Sequence, residues 1–240
     1  MRYIKKPLNP IKLHCLSSKY KRSLEKQRAI GWKSFNKCCK KDLIDNYLSP
    51  EQYQLCAYTE IALQEFGYHI EHIKPKSVYS QDTFNYQNLV LSCFSSENLK
   101  KEAFSTCFGG QYKKNEYDAD KFISPLDKAC EGYFSYLPNG RVEPHIDLSS
   151  LEKEKVLYTC NILNLNAPYL IERRKKLITE TIPIIDELLE HEDALAHFAE
   201  MDLSIKLNPD TMDEEINPFY SARVQQFGKL GRDIKKKNKL

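Results

Sequence analysis

The sequence predicts an α+β fold. Residues 68–73 alternate apolar and polar side chains as a half-buried strand does, and residues 88–93 read as a second strand. A helix start follows at Ser95-Ser96-Glu97-Asn98, so a strand, loop, strand and helix occupy the middle of the chain. Asn139-Gly140, between two short apolar stretches, signals a further hairpin. The last third carries apolar residues at helical spacing. At 240 residues the chain can bury a good core as one domain, or as a small catalytic domain with a helical extension.

Taken in order, residues 1–50 read as a basic, helical N-terminal arm. Residues 1–42 hold thirteen Lys and Arg against two acids, with Tyr3, Tyr20 and Trp32 interleaved. Such an arm can follow a phosphate backbone or dock on an acidic surface. One such surface is the chain's own residues 180–215, which hold twelve acids against one lysine. Residues 51–130 form the expected core. Strict alternation along residues 68–73 puts His69 and Glu71 on one face and His72 on the other. Glu71 and His72 then reach one site only if the strand ends or bulges there, and Pro75 favours an end. Residues 76–87 are polar and turn-rich, a loop, and a serine at 95 or 96 is a candidate N-cap.

Residues 131–225 combine a type I′ hairpin at Asn139-Gly140 with helices. Asn166-Ala167-Pro168 reads as a cap with proline in the first turn, leading into a helix over residues 169–180. From Ile182, apolar residues at 185, 188, 189, 195 and 198 form a core-facing stripe. Residues 226–240, with a lysine cluster over 229–239, read as a basic, disordered tail. No run of 18 apolar residues occurs, so no membrane span is expected, and there is no internal repeat.

The most informative stretch is His69-Ile70-Glu71-His72-Ile73-Lys74-Pro75, followed by Asn88-Leu89-Val90 and Asn98-Leu99-Lys100-Lys101. Hydrolysing a phosphodiester needs a base for water, a divalent cation on hard oxygen ligands, and positive charge near the leaving oxygen. His72 can be the base, since histidine alone has an unperturbed pKa near working pH. Glu71 and Asn98 can supply oxygens to Mg²⁺ or Mn²⁺, and Lys101 can face the scissile phosphate. Each has a plainer reading. A lone histidine is more often a packing residue, Asn88 a turn residue and Lys101 a solvated surface lysine. His69 can contact phosphate, support the metal or only pack.

The order Glu71-His72, then Asn88, then Asn98 with Lys101 three residues on, resembles the HNH nuclease motif. Its hairpin and helix form a ββα-metal, or His-Me finger, core. Upstream, Gln52-Tyr53-Gln54-Leu55-Cys56-Ala57-Tyr58 resembles the Q-x-x-L-C-A-Y segment of one HNH subfamily. Downstream, Phe122-Ile123-Ser124-Pro125-Leu126-Asp127 and Leu163-Asn164-Leu165-Asn166 resemble its later landmarks. That subfamily is the PtuB-like nuclease subunit of Septu and retron anti-phage systems, and the similarity covers roughly residues 1–225.

The resemblance implies that Glu71 is a metal ligand, His72 the general base and Asn98 the second metal ligand. Asn88 then tethers the loop and orients the histidine. Many HNH enzymes carry histidine where this chain has Asn98. An amide oxygen is neutral and hard, which suits Mg²⁺ and weakens the case for Zn²⁺ or Ni²⁺ as catalytic ion. The resemblance further implies a nucleic-acid substrate, a PtuA-like ATPase partner and, in retron versions, a reverse transcriptase with its attached msDNA.

Eight cysteines with no signal-peptide pattern argue for a reduced, cytoplasmic protein rather than a disulfide scaffold. Many HNH relatives brace the hairpin with a structural Zn²⁺ on two C-x-x-C pairs. Here Thr59 follows Cys56 and Ser96 follows Cys93 at that spacing, so each pair keeps one thiol. Even with Cys107 as a third candidate ligand, the set falls short of the four thiolates such a site wants, and a structural zinc is not expected. Small buried packing residues are the plainer role for these thiols.

Two functional classes follow. One is a metal-dependent nuclease acting as effector of a phage-defence complex, on DNA or structured RNA such as tRNA. The other is a binding or scaffold subunit that keeps the HNH fold without catalysis. The full set Glu71, His72, Asn88 and Asn98 favours the nuclease, because a scaffold has no need of it.

Overall fold

A computed structural model describes residues 1–6, 32, 37–99 and 106–240. Lys101, Tyr20 and most of the expected N-terminal arm lie outside the described residues. The elements begin with α1 (Lys37–Leu43), a π-helical turn over Ile44–Leu48, α2 (Ser49–Gln52) and α3 (Leu63–Phe66). The central hairpin β1 (Tyr68–His72) and β2 (Leu89–Cys93) follows, then the short helices α4 (Ser96–Leu99) and α5 (Gly110–Lys113). A second hairpin, β3 (Phe134–Tyr136) and β4 (Val142–Pro144), leads to α6 (Ser150–Ile162), α7 (Pro168–Leu188) and α8 (Glu192–Leu203). The ribbon β5 (Lys206–Leu207) and β6 (Glu214–Glu215), then α9 (Tyr220–Gln226) and α10 (Gly228–Lys237), complete the chain. Helices with small antiparallel sheets make this an α+β fold.

The central hairpin pairs in regular register from Tyr68↔Cys93 to His72↔Leu89, without a bulge. It ends where Pro75 predicted, one backbone bond beyond His72, at Ile73 N–H to Asn88 O (3.0 Å). Every residue of β2 is buried, so its outer edge cannot turn to water. Gln52 serves that edge: its Oε1 accepts from Leu91 N–H (2.7 Å) while its Nε2 donates to Leu91 O (2.9 Å) and Leu55 O (2.7 Å). Ala57 N–H also donates to Leu91 O (3.0 Å), and Cys93 N–H donates to Cys56 Sγ (3.3 Å). The Q-x-x-L-C-A-Y segment thus acts as a stand-in third strand.

The first residues are not a free arm. Met1 and Ile4 are in the core, and Ile4 N–H bonds Pro125 O at 2.8 Å. Arg2 donates to Glu51 O (3.2 Å) and Lys6 pairs with the Glu51 carboxylate (3.0 Å), so two of the basic groups are used inside the chain.

The second hairpin forms at Asn139-Gly140, but not as a type I′ turn. Only Gly140 has positive φ (84°), and Gly140 N–H closes on Leu137 O (2.8 Å), which is a longer loop with glycine at its last position. A Cβ on Gly140 would lie 2.0 Å from Ile171 O, so α7 packs directly on the turn. Asn166 does not cap α7. Its amide brackets Val142 instead, with bonds of 2.8 and 2.9 Å to that residue's N–H and C=O, while Pro168 opens the helix.

One helix runs from Pro168 through Pro183 to Leu188, where the sequence suggested a stop near residue 180. The apolar stripe from Ile182 is therefore split between α7 and α8, and Ile185, Leu195 and Phe198 all pack on one cluster with Leu203, Tyr220 and Phe227. Leu189, in the connecting turn, is exposed. The expected disordered tail is instead α10. Its Gly231 and Ile234 are buried, Lys237 pairs with Glu200 of the acidic segment at 2.8 Å and Lys235 pairs with Glu131, so this is an amphipathic helix with two of its lysines held in ion pairs. Among the described residues no helix is long and apolar enough to cross a membrane.

Replacing Gln52 by methionine keeps its volume and removes its three bonds, leaving the buried Leu91 N–H without a partner. The expected loss is roughly 2–4 kcal/mol in urea unfolding, with faster hydrogen exchange at Leu91. Wild-type stability in Gln52→Met would contradict the edge role.

Candidate functional site

Regular pairing sends Glu71 and His72 to opposite faces of β1. On the Glu71 face, the carboxylate lies against Gly110, where an added Cβ would fall 2.6 Å from Cδ. Lys113 Nζ is 2.9 Å from Oε1, an ion pair without hydrogen-bond geometry, and His69 Nε2 is 3.3 Å from Oε2. His69 Nδ1 bonds Phe94 O at 2.9 Å, and since a carbonyl only accepts, Nδ1 carries the proton. Nε2 then faces Oε2 either as the second N–H of an imidazolium or as a lone pair that needs a cation between them. Burial pushes the Glu71 carboxyl up, but the His69 bond and the Lys113 charge outweigh it and hold the group below its ordinary value.

On the other face, His72 is buried and its Nε2 lies 2.9 Å from Thr83 O. By the same logic Nε2 donates, so the neutral ring keeps its lone pair on Nδ1. Trp32 meets the ring edge-on, with centroids 4.5 Å apart. Burial lowers the His72 pKa to about 4, against a smaller upward pull from the Thr83 bond. Asn88 laces the loop: Oδ1 accepts from Lys74 N–H (2.7 Å), and Nδ2 donates to Lys74 O (3.0 Å) and Asp82 O (3.1 Å). Both ends of the loop are thereby tied, next to the Thr83 carbonyl that holds His72.

Asn98 stands elsewhere. Its N–H is capped by Ser95 Oγ (3.1 Å) and its Nδ2 donates to Phe66 O (2.8 Å), just before β1 begins, whereas Glu71 and His72 lie at the strand's far end. No hydrogen bond among the described residues joins Asn98 to Glu71 or His72, and its Oδ1 accepts none there. The structure therefore groups Glu71 with His69 and Lys113, and His72 with Asn88 and Thr83.

Lys113 escaped the sequence reading because one lysine among 36 basic residues carries no mark of its own. The available signal was Gly109-Gly110 just before it, since paired glycines allow close backbone approach.

Hard divalent ions take one or two carboxylates and fill the rest of their shell with water and phosphate. The Glu71 face fits that need: an anionic carboxylate with Oε1 free of hydrogen bonds and an imidazole nitrogen opposite Oε2. No group of three His, Cys, Asp or Glu side chains suited to a metal occurs among the described residues. Cys56 and Cys93 do come together behind the hairpin, but Cys107 does not complete a third ligand with them. Burial pushes the Cys56 thiol up, yet contacts from Cys93 and Thr59 bring it down to about 5, while Cys93 is pushed well up.

No family model matches the chain. A Vibrio cholerae serotype O1 biovar El Tor protein described as "Retron Vc95 putative HNH endonuclease" is 34% identical over 148 residues, 60% of this chain and 68% of that protein. The chain belongs to the HNH endonuclease family. In this family member the histidine and the acid that precedes it are both buried, each held by its own set of partners.

Two outcomes test this geometry. Because the folded His72 pKa lies below the value of 6.5 expected when unfolded, the unfolded chain takes up the proton first as pH falls. The stability tied to a neutral His72 is complete above about pH 6.5 and lost towards about 4, by about 3 kcal/mol at most, and His72→Gln should flatten that slope. Urea unfolding across pH, with NMR titration of the ring, checks this, and a ring titrating near 6.5 would contradict it. Gly110→Ala should displace Glu71 and cost roughly 1–3 kcal/mol by overpacking, measured by thermal unfolding.

Proposed function

We propose that this chain is a metal-dependent HNH endonuclease of the PtuB-like kind, the nuclease subunit of a retron or Septu-type anti-phage complex. The observation that carries the reading is the His72 arrangement in an HNH family member: a neutral, buried imidazole whose Nε2–H is fixed on Thr83 and whose Nδ1 lone pair is kept for a proton. In this proposal His72 Nδ1 takes a proton from the attacking water as the new oxygen–phosphorus bond forms. The resulting imidazolium gives its Nε2–H more fully to the Thr83 carbonyl, and Asn88 keeps that carbonyl in place.

Glu71 is the proposed holder of Mg²⁺ or Mn²⁺, with His69 beside it and Asn98 as the second oxygen donor implied by the motif. The ion, when bound, supplies positive charge to the phosphate and lowers the cost of the departing oxygen. Lys101 is proposed to face the scissile phosphate. The hairpin β1–β2 and α4 are read as the ββα-metal core.

The relative's name carries a retron setting, which supports a retron context for this chain. The proposed PtuA-like ATPase, reverse transcriptase and msDNA partners and the cytoplasmic place of action rest on the resemblance to the PtuB-like nucleases. The substrate is nucleic acid, either DNA or structured RNA such as tRNA, since such a centre contacts phosphate and sugar more than bases.

The test is to incubate the purified complex with labelled DNA and with total RNA, in Mg²⁺ and in EDTA. Cleavage should need the divalent ion, and folded His72→Ala should lose on the order of 10²-fold or more in rate. Alanine at Glu71 or at Asn98 should cost nearly as much as both together. Full cleavage by folded His72→Ala would end the assignment of the base. Persistent inactivity of the wild-type complex on both substrates, with intact partner binding, would favour the scaffold reading.

A further inference from the structure

We propose that Lys113 is a built-in counter-cation for Glu71 that a divalent ion must displace, so that metal uptake and release of Lys113 from the interior are one event. The inference rests on the reading of Glu71 as the metal-holding carboxylate.

The Lys113 side chain is wholly buried, and a buried ammonium is tolerated only when its charge is offset. Its remaining contacts are long, 3.4 Å to His72 O and 3.5 Å to Lys114 O, so Glu71 Oε1 at 2.9 Å carries that task. Glu71 is also the one carboxylate within ion-pair reach of it among the described residues. The dependence runs both ways, because Glu71 is itself buried and Oε1 has no hydrogen bond.

Oε1 is thus the carboxylate oxygen without a hydrogen bond and also the oxygen that Lys113 covers. A dication bound there would repel the ammonium twice as strongly as a unit charge at the same distance, and the desolvated site screens little of that repulsion. The two cations therefore exclude one another. The four-carbon stem of lysine lets the ammonium swing away. The short helix α5 that carries it is bracketed by Gly109 and Lys114, both at positive φ (70° and 52°), so it meets the rest of the chain through a sharp turn at each end. In the metal-free protein the acid is neutralised and the core stays intact. The same pairing raises the metal concentration at which the site fills.

Full-length wild type, Lys113→Met, Lys113→Arg and Glu71→Gln are titrated with Mn²⁺ by calorimetry. Lys113→Met should bind about tenfold or more tightly than wild type, and Lys113→Arg, which keeps the charge, should stay near wild type. Because Lys113→Met leaves an unpaired buried acid when metal-free, wild type supplies an independent readout. Lys113 should resist an amine-acylating reagent in EDTA and become reactive in saturating Mn²⁺. Equal or weaker Mn²⁺ binding by Lys113→Met, or an unlabelled Lys113 at saturating Mn²⁺, overturns the inference and leaves Glu71 as a metal ligand. Mn²⁺ binding unchanged by Glu71→Gln overturns the reading of Glu71 itself, and the inference with it.

Discussion

The fold depends on how the buried outer edge of β2 is satisfied. A two-stranded hairpin is marginal alone, and this one is driven into the core with every β2 residue out of solvent. Burial supplies the hydrophobic gain only if the strand's outward N–H and C=O groups keep partners. Gln52 and Cys56, four residues apart in one segment, provide them through an amide that both accepts and donates and a sulfur that accepts. That arrangement explains why glutamine and cysteine stand together before the motif, and it gives Cys56 a role that needs no metal. Its lowered thiol pKa follows from serving as acceptor to a buried N–H and its neighbours.

With the hairpin anchored, its two faces become separate chemical environments. The Glu71 face is ionic, with a carboxylate, an imidazole and an ammonium packed under a glycine backbone. The His72 face is closed by an aromatic edge and a carbonyl, with Lys76 as the foremost charge felt by the ring. Regular alternation accounts for the division, since a bulge would have turned both residues to one side. The strand end after His72 lets the two faces meet there, where the charges on Glu71 and Lys113 are both felt by the imidazole.

Much of this was legible in the sequence for physical reasons. Alternation, the loop composition and Pro75 located the hairpin, and the serine before Asn98 located α4, because these are local preferences read over a few residues. Type I′ geometry at Asn139-Gly140 was not, since the packing of α7 against Gly140 selects the turn from outside it. The tail misled for a similar reason. Its charge density suggests solvation, but Ile234 and Gly231 find a surface that exists only once α8 and α9 are assembled. Asn98 shows the same limit at the site, since its tie to Phe66 depends on where the strand before it begins. Lys113 is the clearest case: burial, not identity, makes that lysine distinctive.

Separation of the faces also bears on how such a centre stays ordered while its charges change. The orientation of His72 is set by Thr83, and the loop bearing Thr83 is tied by Asn88 to Lys74 and Asp82, none of which touches the carboxylate. A change in the cation at Glu71 therefore leaves the imidazole's tether intact and reaches it mainly through charge. Among the described residues a long hydrogen bond from Lys113 to the His72 carbonyl links the two sides, too weak at 3.4 Å to hold the backbone by itself. On the proposed reading of His72 as the base and Glu71 as the holder of the ion, a base already positioned needs no reorganisation when the ion binds, and preorganisation of that kind lowers a barrier. On the ionic side the sharp backbone turns lie at Gly109 and Lys114, which bracket the helix that carries Lys113.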